Sequence, residues 1–269
     1  MTTRDVAGPV AVLGCGLVGA SAAAGWSAAG HEVWGSDRRD LGPLVERQWI
    51  ARQVPAEAIA DAEVVLLALP VAGILAALRR LTFRPGQLVT DVGSVKAAML
   101  GAAEALAAGV DFVGGHPLAG SAESGFEAAR PDLFAGAAWA LVGTGEPLAR
   151  VTALVAELGA RPLVCGAVAH DRAVALTSHL PQLFATALGA ELESRDDALV
   201  AELLGPAARD VLRLAGSSYE VWRDILAHNA DEVERALAAV VARAGQPAEA
   251  LAEEFELARR FAERVGRRR

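Results

Sequence analysis

The chain has few cysteines and no excess of basic residues. Only two of its 269 residues are cysteine, Cys15 and Cys165, which excludes a disulfide framework and favours a reducing, cytoplasmic location. The formal net charge is −8, so we expect no nucleic-acid partner, because proteins that bind nucleic acid present a basic face. We expect no signal peptide, because no apolar run precedes the first predicted strand. We also expect no membrane partner, because the Ala-rich segment of residues 11–29, which comes closest to a membrane span, carries three glycines at loop spacing and is interpreted as a strand, a loop and a helix.

Hydrophobic residues make up 53 % of the chain and charged residues 22 %, which is an ordinary globular composition. Up to about residue 166, short apolar runs alternate with helical patterns, and beyond it apolar residues recur only at helical spacing. Strands that alternate with helices indicate a mostly parallel sheet. We therefore predict an α/β protein, with a Rossmann-type dinucleotide-binding domain over residues 1–166 and an all-helical domain over residues 167–269. The predicted strands are residues 10–13, 31–36, 64–69, 88–92, 110–113 and 138–142.

The first predicted strand ends in a glycine-rich loop. Gly14, Gly16 and Gly19 have the spacing of a dinucleotide-binding fingerprint, in which glycines permit a tight turn, close approach of the pyrophosphate and close helix packing. Asp37 ends the next strand and is expected to bind the adenosine ribose, which favours NAD over NADP. The two arginines that follow it could instead accept a ribose phosphate. The predicted cofactor contacts are Gly14, Gly16, Leu17, Val18, Gly19, Asp37, Arg38, Leu69, Pro70 and Ser94.

A second glycine-rich segment, residues 114–125, carries His116 between glycines and a proline. We predict a loop that holds this imidazole at the carboxyl end of a strand, where ligands of open α/β sheets bind. Neutral imidazole suits the acceptance of a hydroxyl proton near pH 7, although a surface turn with an incidental histidine would look the same. Ser94 could orient His116 or the substrate, or it could cap the helix that follows. Lys96 is interpreted as a residue of that helix's first turn.

The helical half contributes two features. Pro181 interrupts a helical pattern and predicts a kink, because an interior proline costs about 3 kcal/mol. Arginines occur at positions 209, 213 and 223, and aspartates at positions 210 and 224. Such a cluster could bind a carboxylate through two parallel hydrogen bonds, or it could form surface ion pairs along a helix. The histidines show no paired ligand spacing on a helix, so we expect no metal site.

The chain resembles the prephenate dehydrogenase family from end to end. The likeness is carried by motifs that occur in the same order and at matching spacing. These motifs are Gly14-x-Gly16-Leu17-x-Gly19, Asp91-Val92-Gly93-Ser94-Val95-Lys96, Gly115-His116-Pro117-Leu118-Ala119-Gly120, Ser124-Gly125, Leu133-Phe134 with Trp139, Ser178-His179-Leu180-Pro181, and Arg213 with Trp222-Arg223-Asp224-Ile225.

The resemblance implies NAD-dependent oxidative decarboxylation of prephenate to 4-hydroxyphenylpyruvate, in tyrosine synthesis. It implies that His116 accepts the hydrogen bond of the ring hydroxyl, that Ser94 assists it, and that Arg213 holds a substrate carboxylate. It also implies a homodimer formed through the helical domain. The substrate contacts expected from the resemblance are Ser121, His179, Gln182, Arg213 and Trp222.

Two positions depart from the commonest family pattern: Ala122 stands where relatives often carry a polar residue, and Gln182 where many have histidine. The choice between prephenate and arogenate, or dual specificity for both cyclohexadienyl substrates, therefore stays open. Another Rossmann-plus-helical dehydrogenase is a further alternative, but a β-hydroxyacid dehydrogenase would need a lysine in the helical half, and none follows residue 166. A nucleotide-binding protein without catalysis is the non-enzymatic alternative.

Overall fold

The computed structural model of the chain describes residues 6–120, 123–195 and 197–266. The chain forms two compact units. Unit 1 comprises Met1–Asp171 and Ser218–His228, and unit 2 comprises Arg172–Ser217 and Asn229–Arg269. The predicted domain boundary at residue 166 lies five residues before the first division between the units. The segment Ser218–His228, which the sequence places in the helical half, packs within unit 1.

Unit 1 is built on one sheet whose strand order is β3-β2-β1-β4-β5-β6-β7-β8. All neighbouring pairs are parallel except β6 and β7, which are antiparallel. The predicted α/β fold with a mostly parallel sheet is therefore confirmed. The strands are β1 Val10–Leu13, β2 Val33–Ser36, β3 Arg52–Gln53, β4 Val64–Leu67, β5 Leu88–Asp91, β6 Asp111–Pro117, β7 Ala138–Val142 and β8 Arg161–Val164.

Helices connect the strands of unit 1 and build the whole regular structure of the described part of unit 2. Short 3-10 turns occur at Ala56–Asp61, Arg213–Gly216 and Ala248–Ala250, and a π-helical turn at Ala175–His179. The α-helices are α1 Leu17–Ala28, α2 Gly42–Glu46, α3 Val71–Arg80, α4 Ala97–Ala103, α5 Gly145–Glu157, α6 Ala167–Val174, α7 Leu180–Arg195, α8 Ala198–Glu202, α9 Pro206–Leu212, α10 Tyr219–His228, α11 Ala230–Ala244 and α12 Leu251–Gly266. Within the described ranges, no helix is long and apolar enough to cross a membrane.

The sheet is buried on both faces. Alternate residues of β1 belong to two different core clusters, because successive side chains of a strand point to opposite faces. One cluster packs Trp26 of α1 and Trp139 of β7 against the sheet, and the other packs Ile74 of α3 and Met99 of α4. Burial on both faces explains why the strands read as continuous apolar runs rather than as an alternating pattern.

Two glycines are required by close approaches of the backbone. Gly14 ends β1 with a φ of +96°, and a Cβ there would lie 2.3 Å from the carbonyl oxygen of Ala68. A Cβ on Gly115 in β6 would lie 2.4 Å from the carbonyl oxygen of Asp91 and 3.0 Å from Nε1 of Trp139. Any other residue at either position would therefore push neighbouring strands apart.

The position of His116 differs from the prediction. The sequence predicts a strand over residues 110–113 followed by a loop, whereas β6 continues to Pro117. Pairing of β6 with β5 ends at Val113, but β7 then takes up antiparallel pairing and sets His116 opposite Ala140. The predicted loop is wrong because β7, more than twenty residues further on, supplies the hydrogen-bond partners that prolong the strand. His116 is consequently fixed by a sheet rather than by a turn.

We expect Gly115→Ala to lower the free energy of unfolding of the chain by about 1–3 kcal/mol, because its methyl group has no space beside Asp91. Gly101→Ala is the matched control: Gly101 lies in α4 with open space around a Cβ, and this change should raise stability by about 0.5–1 kcal/mol. Urea unfolding of both variants measures the difference. Equal stability of the two variants would contradict the close approach at Gly115.

Candidate active site

A cavity of about 1200 Å³ lies in unit 1 at the carboxyl ends of β1, β2 and β4. Ligands of open α/β sheets bind at this edge. Six of the predicted cofactor contacts line the cavity, namely Gly14, Gly16, Asp37, Arg38, Leu69 and Pro70. The other predicted contacts are not among its lining residues: Leu17, Val18 and Gly19 form the first turn of α1 behind the glycine loop, and Ser94 follows β5.

The glycine loop fits the pyrophosphate of a dinucleotide. Gly16 is the N-cap of α1, no side chain caps this helix end, and a Cβ on Gly16 would meet open space. The first N–H groups of a helix have no partner within it, and they attract an anion together with the helix dipole. The residues present therefore fit NAD, which the loop would hold by its phosphates.

Asp37 is fixed by the loop and by a neighbouring arginine. Its Oδ2 accepts a hydrogen bond from the Cys15 backbone N–H at 2.8 Å, and its Oδ1 accepts from the Arg39 backbone N–H at 3.0 Å and from Arg39 Nε at 3.2 Å. Burial alone would raise the pKa of Asp37, but these hydrogen bonds from Arg39 and Cys15 lower it below its usual value. The carboxylate is thus ionised at neutral pH, as ribose recognition requires.

Sequence reasoning missed the roles of Arg39 and Gln53 in this pocket. The Arg39 guanidinium lies 5.1 Å from the ring centre of Phe126 and donates to the Cys15 carbonyl oxygen at 2.9 Å. Gln53 accepts from the Leu41 N–H and donates to the Arg39 carbonyl oxygen, both at 2.9 Å. It thereby holds the loop after β2 in place. Its strand, β3, is only two residues long and leaves no periodic signal in the sequence.

A second group of polar residues surrounds His116. Nδ1 of His116 lies 2.9 Å from Nε2 of His170, and Nδ1 of His170 lies 2.7 Å from Oδ1 of Asp171. His170 and Asp171 are buried, and His116 is half-buried. His170 and Asp171 had no predicted role: the histidines were considered together only as metal ligands, and their spacing did not favour a metal site. The side chains of His116, His170 and Asp171 thus form a continuous series of close contacts from β6 to α6.

Asp171 also caps α4. Its two carboxylate oxygens accept from the backbone N–H groups of Lys96 at 2.7 Å and Ala97 at 2.8 Å. The alternative that Ser94 caps this helix is therefore wrong: α4 begins at Ala97, and the cap comes from a residue 75 positions away from Lys96. Burial would raise the pKa of Asp171, but the hydrogen bonds from His170 and from the two backbone N–H groups lower it overall.

Lys96, the only lysine of the chain, is fully buried. Its ammonium forms an ion pair with Asp91 and donates to the Gly115 carbonyl oxygen at 2.7 Å. Asp91 in turn accepts from the Gly115 N–H at 2.9 Å and from the Gly93 N–H at 2.8 Å. Burial lowers the pKa of Lys96, and the carboxylate of Asp91 opposes this shift. Lys96 thus fixes the backbone of Gly115, the residue before His116. The sequence predicted only that Lys96 lies in the first turn of the helix.

In unit 2, His179 ends the π-helical turn that precedes Pro181, so the predicted kink is a widened turn. His179 is buried, and its Nδ1 lies 3.2 Å from Nδ2 of Asn229. Gln182 is also buried and donates to the Leu214 carbonyl oxygen at 3.0 Å. It therefore fixes the turn Arg213–Gly216.

The arginine cluster of the sequence separates into different environments. Arg213 of unit 2 is exposed and forms no ion pair with any residue of the described ranges. Arg223 of unit 1 pairs with Asp224 at 3.0 Å. Trp222, on the same helix α10, is half-buried and packs against the unit 1 core that contains Ile225. Two positions named from the sequence, Ser121 and Ala122, lie outside the described residues.

Two models of known protein domains match most of the chain. The nucleotide-binding domain of prephenate dehydrogenase matches residues 29–164, and the dimerization domain of prephenate dehydrogenase matches residues 167–263. The structure of Synechocystis arogenate dehydrogenase superimposes with a TM-score of 0.80 at 30 % identity, over 97 % of this chain and 98 % of that one. Prephenate dehydrogenase from A. aeolicus, in complex with hydroxyphenyl propionate and NAD+, superimposes with a TM-score of 0.84 at 25 % identity, over 100 % and 98 %.

Among curated sequences, a prephenate dehydrogenase of Lactococcus lactis is 31 % identical over 231 residues. That alignment covers 82 % of this chain and 64 % of the Lactococcus protein. The chain thus spans slightly less than two thirds of the length of this relative.

Proposed function

This chain belongs to the prephenate dehydrogenase family, and we propose that it catalyses the NAD-dependent oxidative decarboxylation of prephenate to 4-hydroxyphenylpyruvate, in tyrosine synthesis. One observation carries the proposal. The cavity lined by six of the predicted cofactor contacts follows β1, β2 and β4, and His116 lies near the carboxyl end of β6 in the same sheet. Because β1, β4, β5 and β6 are parallel, both features belong to the same edge of unit 1.

In this reaction the bound NAD supplies a hydride acceptor. His116 accepts the proton of the ring hydroxyl as that hydroxyl becomes a carbonyl, a step for which a neutral imidazole is suited. Loss of carbon dioxide then makes the ring aromatic and leaves a phenolate oxygen, which takes the proton back from His116 to form the hydroxyl of the product. The substrate itself thus drives this part of the chemistry. The chain's residues chiefly bind, orient and accept a proton, and Ser94, half-buried after β5, assists His116.

Arg213 binds a substrate carboxylate in this proposal. An exposed guanidinium without an acidic partner among the described residues keeps its paired donors for a carboxylate. His179, Gln182, Trp222 and Ser121 are the further proposed substrate contacts. The amide of Gln182 already donates to Leu214 and to Thr186 Oγ1, which leaves its oxygen as the group for a substrate.

Arogenate is the second candidate substrate. It carries an amino group in place of the keto group of prephenate, and the Synechocystis enzyme with the similar fold is an arogenate dehydrogenase. The reacting ring is the same in both substrates, so His116 would act identically. Discrimination would fall to residues that meet the side chain, including positions 122 and 182.

The proposal is tested by measuring NADH formation by the purified chain, with prephenate and arogenate in parallel and with NAD and NADP. We expect NADH and 4-hydroxyphenylpyruvate from prephenate, and a higher kcat/KM with NAD than with NADP because the Asp37 carboxylate repels a ribose phosphate. A higher kcat/KM with arogenate would transfer the assignment to the second candidate. Absence of reduced cofactor with either substrate would contradict the proposed function.

His116→Asn is the accompanying variant and should lower kcat by about 100-fold or more, since the proton acceptor is lost. His228→Asn is the matched control: His228 is exposed on α10 and contacts the Asp224 backbone, so its kcat should equal that of the unmodified chain. Similar kcat values for the two variants would remove His116 from the mechanism.

Arg213→Ala should raise the KM for prephenate at least about 10-fold while changing kcat much less, because a carboxylate contact is present in the ground state and in the transition state alike. Arg209→Ala is the control, since Arg209 is also exposed and, within the described residues, donates to the Leu204 carbonyl oxygen. Steady-state kinetics with varied prephenate separate the two constants. An unchanged KM in Arg213→Ala would exclude Arg213 as the carboxylate ligand.

We further propose a homodimer formed through unit 2, in a cytoplasmic setting that suits the two free cysteines. Helix α12 buries none of its residues, and Phe255 and Phe261 are 74 % and 57 % exposed. Large exposed apolar patches usually mark interfaces. Sedimentation equilibrium should give twice the chain mass, and Phe255→Asp with Phe261→Asp should give the monomer mass. Val45→Asp, at an exposed position of unit 1, is the control, and a monomeric unmodified chain would refute the proposal.

A further inference from the structure

We propose that His170 and Asp171 are positioning residues that hold His116 with its proton on Nδ1 and its lone pair on Nε2. Through them, the proton acceptor of the reaction is oriented and ready before the substrate binds. The catalytic consequence rests on the proposed function, whereas the protonation pattern follows from the geometry of unit 1 alone. Neither residue contacts the reacting atoms in this assignment.

The order of donors and acceptors starts at Asp171. An ionised carboxylate only accepts hydrogen bonds, so Nδ1 of His170, 2.7 Å from Oδ1, must carry a proton. In a neutral imidazole the other nitrogen is then an acceptor, which makes Nε2 of His170 the acceptor toward His116. Nδ1 of His116, 2.9 Å away, must therefore donate. The remaining nitrogen of His116, Nε2, keeps the lone pair that a general base requires.

Asp171 is suited to this role because it cannot turn away. Both of its oxygens accept backbone N–H groups at the start of α4, at 2.7 and 2.8 Å, and the side chain is 3 % exposed. The same contacts favour its charged form. The other ionisable groups that act electrostatically on Asp171 or its neighbours are Lys96, Asp91 and Cys165. The Lys96 ammonium is already paired with Asp91. His170 therefore donates to Asp171 without competition from that ammonium.

The arrangement also stabilises the product of proton transfer. When His116 gains a proton on Nε2, its Nδ1–H continues to donate to His170, and the positive charge lies in line with the Asp171 carboxylate. A hydrogen bond with a charged donor is stronger than a neutral one, so the protonated state gains more from this line of groups than the neutral state does. Groups that orient a reacting or metal-bound histidine in this way typically contribute about 10–100-fold.

The first test needs no substrate. Nitrogen NMR of the five histidines, with the His116 signals assigned by their loss in His116→Asn, distinguishes protonated from unprotonated ring nitrogens. In the unmodified chain near neutral pH, His116 should be protonated on Nδ1 and unprotonated on Nε2. In His170→Leu the preference should shift toward a mixture of both tautomers. A proton on Nε2 in the unmodified chain, or an unchanged tautomer in His170→Leu, would overturn the proposal.

The second test separates positioning from folding. His170→Leu should lower kcat about 10–100-fold with a KM within about three-fold of the unmodified value. His170→Gln should recover part of kcat, because its amide can donate to Asp171 and accept from His116 at once. Asp171→Asn should lower kcat and also destabilise α4, so the His170 variants carry the decision. Equal kcat in His170→Leu and the unmodified chain would refute the proposal.

The two tests distinguish a failure of the proposed function from a failure of the positioning role of His170 and Asp171. If the unmodified chain turns over neither prephenate nor arogenate, the proposed function fails, but the NMR result still decides the tautomer. His228→Gln, which changes an exposed histidine on α10, should alter neither the His116 signals nor kcat.

Discussion

The buried ion pair between Lys96 and Asp91 is the interaction on which the organisation of this site depends. An unpaired charge in a protein interior is very unfavourable, so removing either partner of such a pair typically costs about 3–5 kcal/mol. Here both side chains also bind the backbone of Gly115. The pair therefore ties the end of β5 and the start of α4 to β6, one residue before His116. The position of His116, the proposed proton acceptor, thus depends on a contact that involves no reacting group.

The same region shows why glycine occurs where it does. Gly115 must lack a side chain because the Asp91 backbone passes beside it, and Gly14 must lack one because of Ala68. These glycines have no chemistry of their own. They let neighbouring strands approach closely enough for the cofactor loop and the His116 segment to lie along one edge of the sheet. At these two positions, glycine is thus required by the space available to the backbone and not by the chemistry of the site.

The sequence predicted the strands and the glycine loop better than it predicted which distant segments form hydrogen bonds with them. The sheet, its buried strands, the glycine loop and Asp37 all have local signals, and the structure places Gly14, Gly16 and Asp37 in one pocket. The predicted loop at His116 and the alternative that Ser94 caps α4 were wrong for a shared reason. In each case a distant segment, β7 or Asp171, supplies the hydrogen bonds that a local pattern cannot show. The role of Gln53 was missed because its two-residue strand leaves no periodic signal. The sequence offered Arg39 only as a ligand of a ribose phosphate, whereas in the structure it binds the Asp37 carboxylate.

By itself, the sequence determined the fold class, the dinucleotide loop and the family, because each is written in apolar periodicity or in residue spacing that acts over short distances. Only the tertiary structure decided which groups surround His116. His170 is 54 residues away from it along the chain, and nothing in their spacing relates them. They meet because β6 extends along β7 and because Asp171 caps α4, so the position of the imidazole results from long-range packing.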